Sequence, residues 1–360
     1  MSDPKIKVQS RRKRPVTLDD IAERAGVTKT TVSQVLSNYP KARFSDQTRK
    51  RILALAERMN YRPNFFASQV RVAHRKLIML CVTVLDDAFA GAVASSFEGE
   101  AGCKEYNTIV SSLRGKEHVD FIANAVGSHG ILQMAVVGYS SIGMLPDALL
   151  VDLAKRNTDI VTIARPSPSP LISEITYDNA TAVRNLVDRV VLPGMERIWL
   201  LRGPKSGSAG DVVGQRNDIA AHYLREKGLN NKIVFISPIE AETSFLSGQR
   251  TVEKALVTQH APDIILAFSD HHALGCIHAL SDAGYEVGRD VAVTGFNDLP
   301  TSAFMRPTLT TVRVPMETMG SQAAQILMEL NEGRRTEPAR ILLPTEFMER
   351  ESGRWQKQRA

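Results

Sequence analysis

The chain has 360 residues, of which 43% are apolar, so it is long enough for two or three domains with substantial cores. These figures exclude a disordered tail and a miniprotein that depends on disulfides. The net charge of +6 is unevenly distributed, because residues 1–75 hold 17 Lys and Arg against 6 Asp and Glu, and residues 76–360 hold 28 against 33. A basic N-terminal fifth therefore precedes a mildly acidic remainder.

Cysteine spacing and hydropathy narrow the class of protein further. Cys81, Cys103 and Cys276 are far apart and lack Cys-x-x-Cys spacing, so we expect neither a disulfide framework nor a metal centre. The N-terminus has no apolar segment of signal-peptide length, and no run of about 18 apolar residues occurs. We expect a cytoplasmic protein without a membrane span.

The basic end predicts a compact helical module that follows an arm over residues 1–15. Thr17, with Asp20 three residues later, marks a helix start by a variant of the capping box. Gly26 permits a tight turn, Thr28 caps a second short helix, and a third helix begins near Ser45. The apolar positions with helical spacing are Ile21, Ala22, Ala25, Val32, Val35, Leu36, Ile52, Leu55, Ala56 and Met59.

Two short helices joined by a glycine turn are typical of the helix-turn-helix. In that motif the second helix enters the major groove of DNA and the first crosses the phosphate backbone. A generic three-helix bundle would show the same pattern of helices. The charge favours the DNA-binding interpretation, because 17 basic against 6 acidic residues is the electrostatic footprint that phosphate binding requires.

The segment TLDDIAERAGVTKTTVSQVLS, the basic third helix and the later NYRPN resemble the headpiece of the LacI/GalR family of bacterial transcription regulators. The resemblance implies a DNA-binding domain over residues 16–63. It places Lys29, Thr30 and Gln34 at base-reading positions. The other expected DNA contacts in this domain and just after it are Thr17, Thr28, Thr31, Ser33, Ser37, Tyr61 and Asn64.

Gln34 stands where the family often carries Arg. Since Arg forks onto guanine and Gln onto adenine in the major groove, we predict a weaker demand for guanine at the base pair that Gln34 faces.

Residues 64–76 have the composition of an ordinary interdomain linker. The resemblance implies instead a hinge that becomes helical on the operator, where two protomers wedge an apolar side chain into the minor groove. Val70 occupies the wedge position, where the family usually has Leu, and its β-branched side chain predicts weaker hinge folding or DNA bending. Ala67 would line the groove, and Arg71 would reach a phosphate or a groove edge.

From Leu77 onward, short apolar runs alternate with helical stretches in two successive series. The first series is LIMLCVTV, TIVSSL, GILQMAVVG and DIVTIA, and the second is RIWLLRG, KIVFIS, DIILAFS and DVAVTGF. Such runs, bounded by Gly, Pro, Asn and Asp, predict parallel sheets covered by helices on both faces. The fold class is therefore α/β, with two lobes.

The resemblance gives residues 77–360 the fold of a two-lobed, periplasmic-binding-protein-like effector-binding and dimerisation domain. LTTVRVP and METMGSQAAQILMELNEG match its C-terminal strand and helix. Lobe 1 would span about 77–178 and 313–343, and lobe 2 about 179–312 and 344–360. The chain would cross between lobes near Tyr177, Val312 and Leu343, and a ligand would lie in the cleft at the carboxyl ends of the strands.

Polar or aromatic residues directly after strands are the candidates for effector binding. Arg216 matches an Arg that the family uses to hold ligand hydroxyls or carboxylates. Ser269 and Asn297 replace the Asn and Asp of family motifs, and Thr243 stands where an aromatic ring is frequent, so the stacking platform is displaced or absent. The full set of candidates is Asp87, Phe89, Arg165, Arg216, Thr243, Ser269, Asp270 and Asn297. A sugar, sugar acid or sugar phosphate is expected, and Arg165 with Arg216 favours an acidic one.

Two signals suggest an enzyme and neither is specific. GPKSGSAGD at residues 203–211 lacks the residue order of a phosphate loop, and we interpret it as a cleft loop. His271 and His272 lack a second pair at metal-ligand spacing, and we interpret them as residues of a helix surface. Since no nucleophile elbow, zinc-protease motif or dinucleotide fingerprint occurs, we expect no enzymatic activity and no cofactor.

The sequence thus predicts a homodimeric regulator, most simply a repressor, that binds a pseudo-palindromic double-stranded operator in the nucleoid and responds to a small-molecule effector. The tail ESGRWQKQRA has no sustained heptads, which favours a dimer over a tetramer, and its basic residues predict a solvated end. Two alternatives stay open: an architectural DNA-binding protein that ignores small molecules, and an enzyme with a DNA-binding appendage.

Overall fold

The computed structural model describes residues 16–36, 44–61, 76–82, 87–113, 116–129, 131–138, 145–202, 212–237 and 245–356. The chain divides into two compact units, Met1–Arg75 and Lys76–Ala360. The predicted basic arm, the hinge up to residue 75 and the loop over residues 203–211 lie outside the described residues. Within the described part of the chain, no helix is both long enough and apolar enough to cross a bilayer.

The first unit contains the three predicted helices, α1 (Leu18–Ala25), α2 (Lys29–Leu36) and α3 (Asp46–Arg58). The start of α1 is a capping box, in which the Thr17 hydroxyl accepts a hydrogen bond from the Asp20 amide and the Asp20 carboxylate accepts one from the Thr17 amide. Gly26 adopts the left-handed φ of 61° that the turn requires. The Thr28 hydroxyl caps α2, as predicted, and α3 begins after Ser45, whose hydroxyl accepts a hydrogen bond from the Thr48 amide.

The core of the first unit consists of apolar side chains from all three helices. Its buried members are Ile21, Ala22, Ala25, Val32, Val35, Ile52 and Ala56, all of which helical spacing had predicted. Leu36, Leu55 and Met59 are half-buried at its edge. Because so small a core is formed by a few side chains from each helix, the caps contribute appreciably to the stability of these short helices.

The second unit alternates helices and strands. The helices are α4 (Ala88–Cys103), α5 (Lys116–His129), α6 (Asp147–Lys155), α7 (Asn179–Val190), α8 (Val212–Glu226), α9 (Phe245–Thr258), α10 (Asp270–Asp282) and α11 (Met316–Asn331). The strands are β1 (Leu77–Val82), β2 (Asn107–Ser112), β3 (Gln133–Val137), β4 (Asp159–Ile163), β5 (Ser173–Tyr177), β6 (Ile198–Leu201), β7 (Ile233–Ile236), β8 (Ile264–Leu266), β9 (Ala292–Thr294), β10 (Thr311–Arg313), β11 (Arg340–Leu343) and β12 (Glu346–Met348).

These strands form two parallel sheets, as the two series of apolar runs predicted. The first sheet has the order β11-β5-β4-β3-β1-β2, and the second has the order β7-β6-β8-β9. The short strands β10 and β12 pair with each other in antiparallel fashion. The first sheet thus takes its strands from residues 77–177 and 340–343, and the predicted lobe boundaries near 178, 312 and 343 stay a prediction.

Helix α11 covers the first sheet although it comes late in the chain. It packs against α4, and Gly320 lies so close to that helix that a Cβ atom there would be 2.1 Å from Ser96 Oγ and 2.3 Å from the Val93 carbonyl oxygen. The missing side chain is what allows the two helices to approach. One hydrophobic cluster extends from this region into the second sheet, where Leu200, Ile264 and Phe268 are among its members.

Two sequence interpretations are corrected by the structure. His272 is not on a helix surface, because its side chain is only 1% exposed where α10 packs on α9. The C-terminal segment is not solvated throughout, because Ser352 is buried, where its hydroxyl donates to the Val293 carbonyl oxygen. Trp355 packs at the edge of the main core. The last four residues lie outside the described part of the chain.

Candidate functional site

Helix α2 presents a polar surface on a rigid support. Its buried side chains are Val32 and Val35, which fix the helix on the core of the first unit. Thr28, Lys29 and Thr30 are exposed at its N-terminal end, while Thr31, Ser33 and Gln34 are half-buried. No acidic residue lies within α2, so its N-terminal amide groups and basic first residue favour an anionic partner such as phosphate.

One charged pair links the first two helices on this surface. Lys29 Nζ lies 2.7 Å from Asp19 Oδ2 in the first turn of α1. No local sequence pattern marks Asp19 for this role, because the pairing joins two helices and depends on the turn between them.

Predicted DNA contacts elsewhere in this unit also have structural roles. The Thr17 hydroxyl belongs to the capping box of α1. Tyr61 is half-buried beside the core, and burial raises the pKa of its hydroxyl. Six predicted site residues lie outside the described residues: the DNA contacts Ser37, Asn64, Ala67, Val70 and Arg71, and the candidate effector residue Thr243.

In the second unit, several strands end in strained backbone. Ala164 follows β4, Phe268 follows β8 and Asn297 follows β9, with φ values of 55°, 48° and 117°. Positive φ is unfavourable for residues with a side chain, and such strain concentrates at binding sites. Because the strands of each sheet are parallel, these turns lie at the carboxyl edges, where a cleft is expected.

Arg216 is the most unusual charged group at this edge. It lies in the first turns of α8, is 0% exposed, and uses all three guanidinium nitrogens. Nε donates to Asn179 Oδ1 at 3.1 Å, one terminal nitrogen donates to the Phe268 carbonyl oxygen at 2.8 Å, and the other donates to the Tyr177 hydroxyl. Its guanidinium carbon is 3.7 Å from the centroid of the Phe296 ring.

All of these partners are electrically neutral. Among the described residues, no carboxylate lies within ion-pair distance of Arg216. A buried guanidinium without a counter-ion is costly, even when it is well hydrogen-bonded and stacked on an aromatic ring. The arrangement therefore favours an additional anionic group at this position. Tyr177 is the last residue of β5 in the first sheet, and Phe268 follows β8 of the second sheet. The hydrogen bonds of Arg216 to both residues therefore link the two sheets of the second unit.

Arg165, the other candidate cation, is already paired. One terminal nitrogen donates to Asp147 at the start of α6, and the other donates to the Leu145 carbonyl oxygen at 3.3 Å. Burial lowers the pKa of its guanidinium, and the nearby Asp147 carboxylate opposes that shift. Gly138 lies directly against its side-chain carbons. In this structure Arg165 ties the end of β4 to α6.

Asp270 is a buried anchor. Its carboxylate accepts hydrogen bonds from the Leu299 amide at 2.7 Å, the Ser302 hydroxyl at 2.9 Å and the Thr311 hydroxyl at 2.6 Å. Burial raises the pKa of this carboxyl, and the hydrogen bond from Thr311 is the largest influence that lowers it. These bonds hold the segment after β9 beside β10.

The four remaining candidates for effector binding lie at the ends of strands or at the starts of helices. Asn297 donates its backbone amide to the Val312 carbonyl oxygen of β10 at 2.8 Å. Ser269 precedes α10, and its buried hydroxyl has no partner in the described part of the chain. Asp87 caps α4 through the Ala90 amide. Phe89 is 1% exposed and packs in the main core.

The structure therefore brings Arg216, Asn297 and the Ser269–Asp270 pair to the carboxyl ends of the second sheet. Tyr177, Phe268 and Phe296 join Arg216 there, and none of the three was among the candidates predicted from the sequence. The signal that could have identified Phe296 is its place directly after β9, in the TGF segment that precedes Asn297.

Residues 17–64 match the family model of bacterial regulatory proteins of the lacI family, and residues 187–353 match that of a periplasmic binding protein-like domain. A probable HTH-type transcriptional repressor, ExuR of Bacillus subtilis, is 26% identical over 344 residues, which are 94% of this chain and 98% of the relative. The lactose operon repressor of Escherichia coli is 28% identical over 343 residues, which are 94% of this chain and 91% of the relative.

A crystal structure of the Lac repressor dimer bound to operator and the anti-inducer ONPF superposes with a TM-score of 0.77 at 23% identity, covering 95% of this chain and all of that one. The likeness of fold thus extends over both units. The named relatives are transcriptional repressors and not enzymes. The chain thus combines a helix-turn-helix DNA-binding domain of the lacI family of bacterial regulatory proteins with a periplasmic-binding-protein-like α/β core.

Proposed function

We propose that this protein is a dimeric repressor that binds a pseudo-palindromic operator through α2 and releases or tightens its hold when a small acidic sugar derivative binds between the lobes. The single observation that carries the DNA-binding part of the proposal is the polar surface of α2, a helix without acidic residues of its own, on a capped helix-turn-helix. Its exposed Lys29 and half-buried Gln34 have the side chains that read guanine and adenine edges.

A dimer follows from the geometry of recognition. One α2 helix covers only a few base pairs, and two helices related by a two-fold axis read two inverted half-sites about one helical turn apart. The Lac repressor of similar fold is a dimer on its operator. We propose the same arrangement for this chain, acting in the cytoplasm on nucleoid DNA.

The DNA-binding half is tested by selecting duplexes from a randomised pool with the full chain and then measuring affinity for the selected operator. The double variant Lys29→Ala, Gln34→Ala should lose its preference for that operator over non-operator DNA, while weak, salt-dependent binding persists. Val32→Ala is not a suitable control, because it would leave a cavity in the core and destabilise the whole first unit. An undiminished and equally selective double variant contradicts the proposal.

The effector half is supported by Arg216, whose buried charge has only neutral partners. A carboxylate or phosphate on the ligand would supply the missing counter-charge, while sugar hydroxyls would bond to the polar groups near Ser269 and Asn297. Since Arg216 also bonds to Tyr177 of the first sheet, ligand binding there would act on the contact between lobes. Such a contact is the kind of two-state element through which ligand and DNA shift each other's affinity.

A thermal-shift screen of the full chain tests this half with matched pairs, each a neutral sugar beside its sugar acid and its sugar phosphate. We expect larger stabilisation by the charged member, without turnover. Larger stabilisation by the neutral member contradicts the acidic class. No stabilisation by any compound favours a ligand-independent architectural protein, and product formation indicates an enzyme.

A further inference from the structure

The ion pair between Asp19 and Lys29 lies on the surface that the proposed function assigns to DNA. Their side chains are 64% and 53% exposed, and they stand ten positions apart on the first turns of α1 and α2. Lys29 is the first residue of α2, so its ammonium group is at the end of the helix that is expected to enter the groove.

Neither the helix cap nor the core of this unit uses the pair. Asp20, not Asp19, forms the capping box with Thr17, and the α1–α2 packing is made by buried apolar side chains. An exposed ion pair of this kind adds little stability. The presence of a carboxylate here is therefore better explained by what it does to Lys29 than by what it does to the helices.

A carboxylate at this position has two opposite effects on DNA binding. It repels phosphate groups, and so lowers affinity for any duplex. It also holds the ammonium of a long and flexible side chain, which would otherwise be able to turn toward the nearest phosphate. One of the three N–H groups of Lys29 is used by Asp19, and two remain for acceptors such as N7 and O6 of guanine.

We propose that Asp19 is a positioning residue for operator selectivity, which keeps the Lys29 ammonium directed at base edges and withholds it from phosphates. The proposal rests on the proposed function, in which α2 reads the major groove. Asp19 gives up some general affinity for DNA and increases the difference between operator and other sequences. The relevant quantity is therefore the ratio of the two affinities and not either affinity alone.

The test compares the full chain with its Asp19→Asn variant on operator and non-operator duplexes of equal length, by fluorescence anisotropy over a range of salt concentrations. We expect non-operator affinity to rise and the selectivity ratio to fall by roughly fivefold to tenfold, the lower part of the range for one base contact. The slope of log affinity against log salt for non-operator DNA should steepen by about 0.9, because one more phosphate is neutralised.

Glu23→Gln is the matched control. Glu23 is exposed on the same helix one turn beyond Asp19, and its removal changes the net charge by the same amount without disturbing the Lys29 pair. It should leave the selectivity ratio close to that of the unmodified protein. An equal loss of selectivity in both variants would show that the effect is general charge repulsion, which overturns the proposal.

The Lys29→Ala background separates positioning from direct contact. If Asp19 acts through Lys29, adding Asp19→Asn to Lys29→Ala should leave the selectivity ratio unchanged. A further loss in the double variant would show that Asp19 reads a base by itself, and would overturn the positioning role.

Failure of the inference and failure of the proposed function give different results. If the unmodified protein shows no preference for any selected duplex, the proposed function fails. If the unmodified protein is selective and Asp19→Asn is equally selective, only the role of Asp19 fails. Circular dichroism of each variant confirms that the helices are intact.

Discussion

The hydroxyl of Tyr106 accepts a hydrogen bond from Asn331 Nδ2 at 2.7 Å, across 225 positions of sequence. It also donates to Glu332 Oε1 at 3.2 Å. Tyr106 precedes β2 and Asn331 is the last residue of α11, so this contact fixes the end of the helix to the edge of the first sheet. The Lys76 ammonium, at the first described position after the linker, lies 5.8 Å from the centroid of the same ring.

Replacing Tyr106 by Phe keeps the ring and removes both hydrogen bonds. Since Tyr106 is buried, we expect a loss of about 1–2 kcal/mol in the free energy of unfolding. Urea unfolding followed by tryptophan fluorescence measures the stability of the second unit without a signal from the first, because both tryptophans, Trp199 and Trp355, lie in the second unit. Tyr285→Phe is the control, since the Tyr285 hydroxyl makes no hydrogen bond in the described part of the chain. Equal effects of the two variants would contradict the prediction.

Helix packing at Gly320 predicts opposite effects for two glycine-to-alanine changes. Gly320→Ala places a methyl group against the backbone of α4, and we expect it to destabilise the second unit by about 1–3 kcal/mol. Gly99→Ala lies on the exposed side of α4 with open space around it, and should stabilise by about 0.5–1 kcal/mol through helix propensity. Thermal unfolding of both variants tests the pair, and a stabilising Gly320→Ala would refute the close packing.

Buried His272 predicts a specific dependence of stability on pH. Burial, and to a smaller extent the charge of His271, lowers its pKa from 6.5 to about 4. As the pH falls from about 6.5 to 4, the unfolded chain takes up a proton that the folded chain does not, so the free energy of unfolding decreases by about 3 kcal/mol. His272→Gln should show a flatter profile in this window, with no difference in slope above pH 7.

The neighbouring His271→Gln variant serves as the control for that profile. Its side chain is half-exposed, so its removal should leave most of the slope in place. Identical pH profiles for the unmodified protein and His272→Gln would contradict the assignment.

Because the buried Arg216 side chain donates three hydrogen bonds, we expect its substitution to lower the stability of the second unit strongly. Arg216→Met removes the hydrogen bonds that Arg216 donates to Asn179, Tyr177 and the Phe268 carbonyl oxygen, and we expect a loss of about 2–4 kcal/mol in unfolding free energy. Arg216→Lys restores the charge but can donate to fewer of these acceptors, so it should recover only part of the loss. Full recovery by Lys, measured by urea unfolding, would show that charge and not geometry matters here.

We expect substitution of Gln34 to change the base preference of the protein, which selection from a pool of random duplexes would detect. With Gln34→Arg, duplexes chosen from a randomised pool should gain guanine at one position of each half-site, a discrimination of about 1–3 kcal/mol. The unmodified protein should not require guanine at that position. Invariant guanine in both selections would contradict the role of Gln34, and an unchanged adjacent position in both is the internal control.

The first unit could be predicted from sequence almost completely, because its caps, turn and apolar faces depend on neighbours within four residues. Thr17 and Ser45 are residue types that favour the start of a helix, and Gly26 is one that favours its end. In the second unit the two series of apolar runs similarly predict eight strands. β5 was not identified because SEITY alternates polar and apolar residues and is shorter than the other runs of its sheet.

The site could be predicted only in part, because its partners are distant in sequence. Arg216 was identified by its motif, but its bonds to Tyr177 and Phe268 join residues 39 and 52 positions away. Burial of His272 depends on the close approach of α9 and α10 at Gly248 and Gly275, which no local pattern indicates. Strand β11 likewise depends on a partner far earlier in the chain, because it pairs with β5.

The placement of α11 and β11 has a consequence for synthesis. The first sheet lacks its edge strand, and α4 lacks its partner helix, until residues 316–343 have left the ribosome. Chains are synthesised from the N-terminus at about 5–20 residues per second. All four strands of the second sheet are therefore complete before β11, the last strand of the first sheet, has been made. For more than a hundred residues of elongation, from Tyr177 to Met316, the strands of the first sheet therefore exist without the helix that covers them in the folded chain.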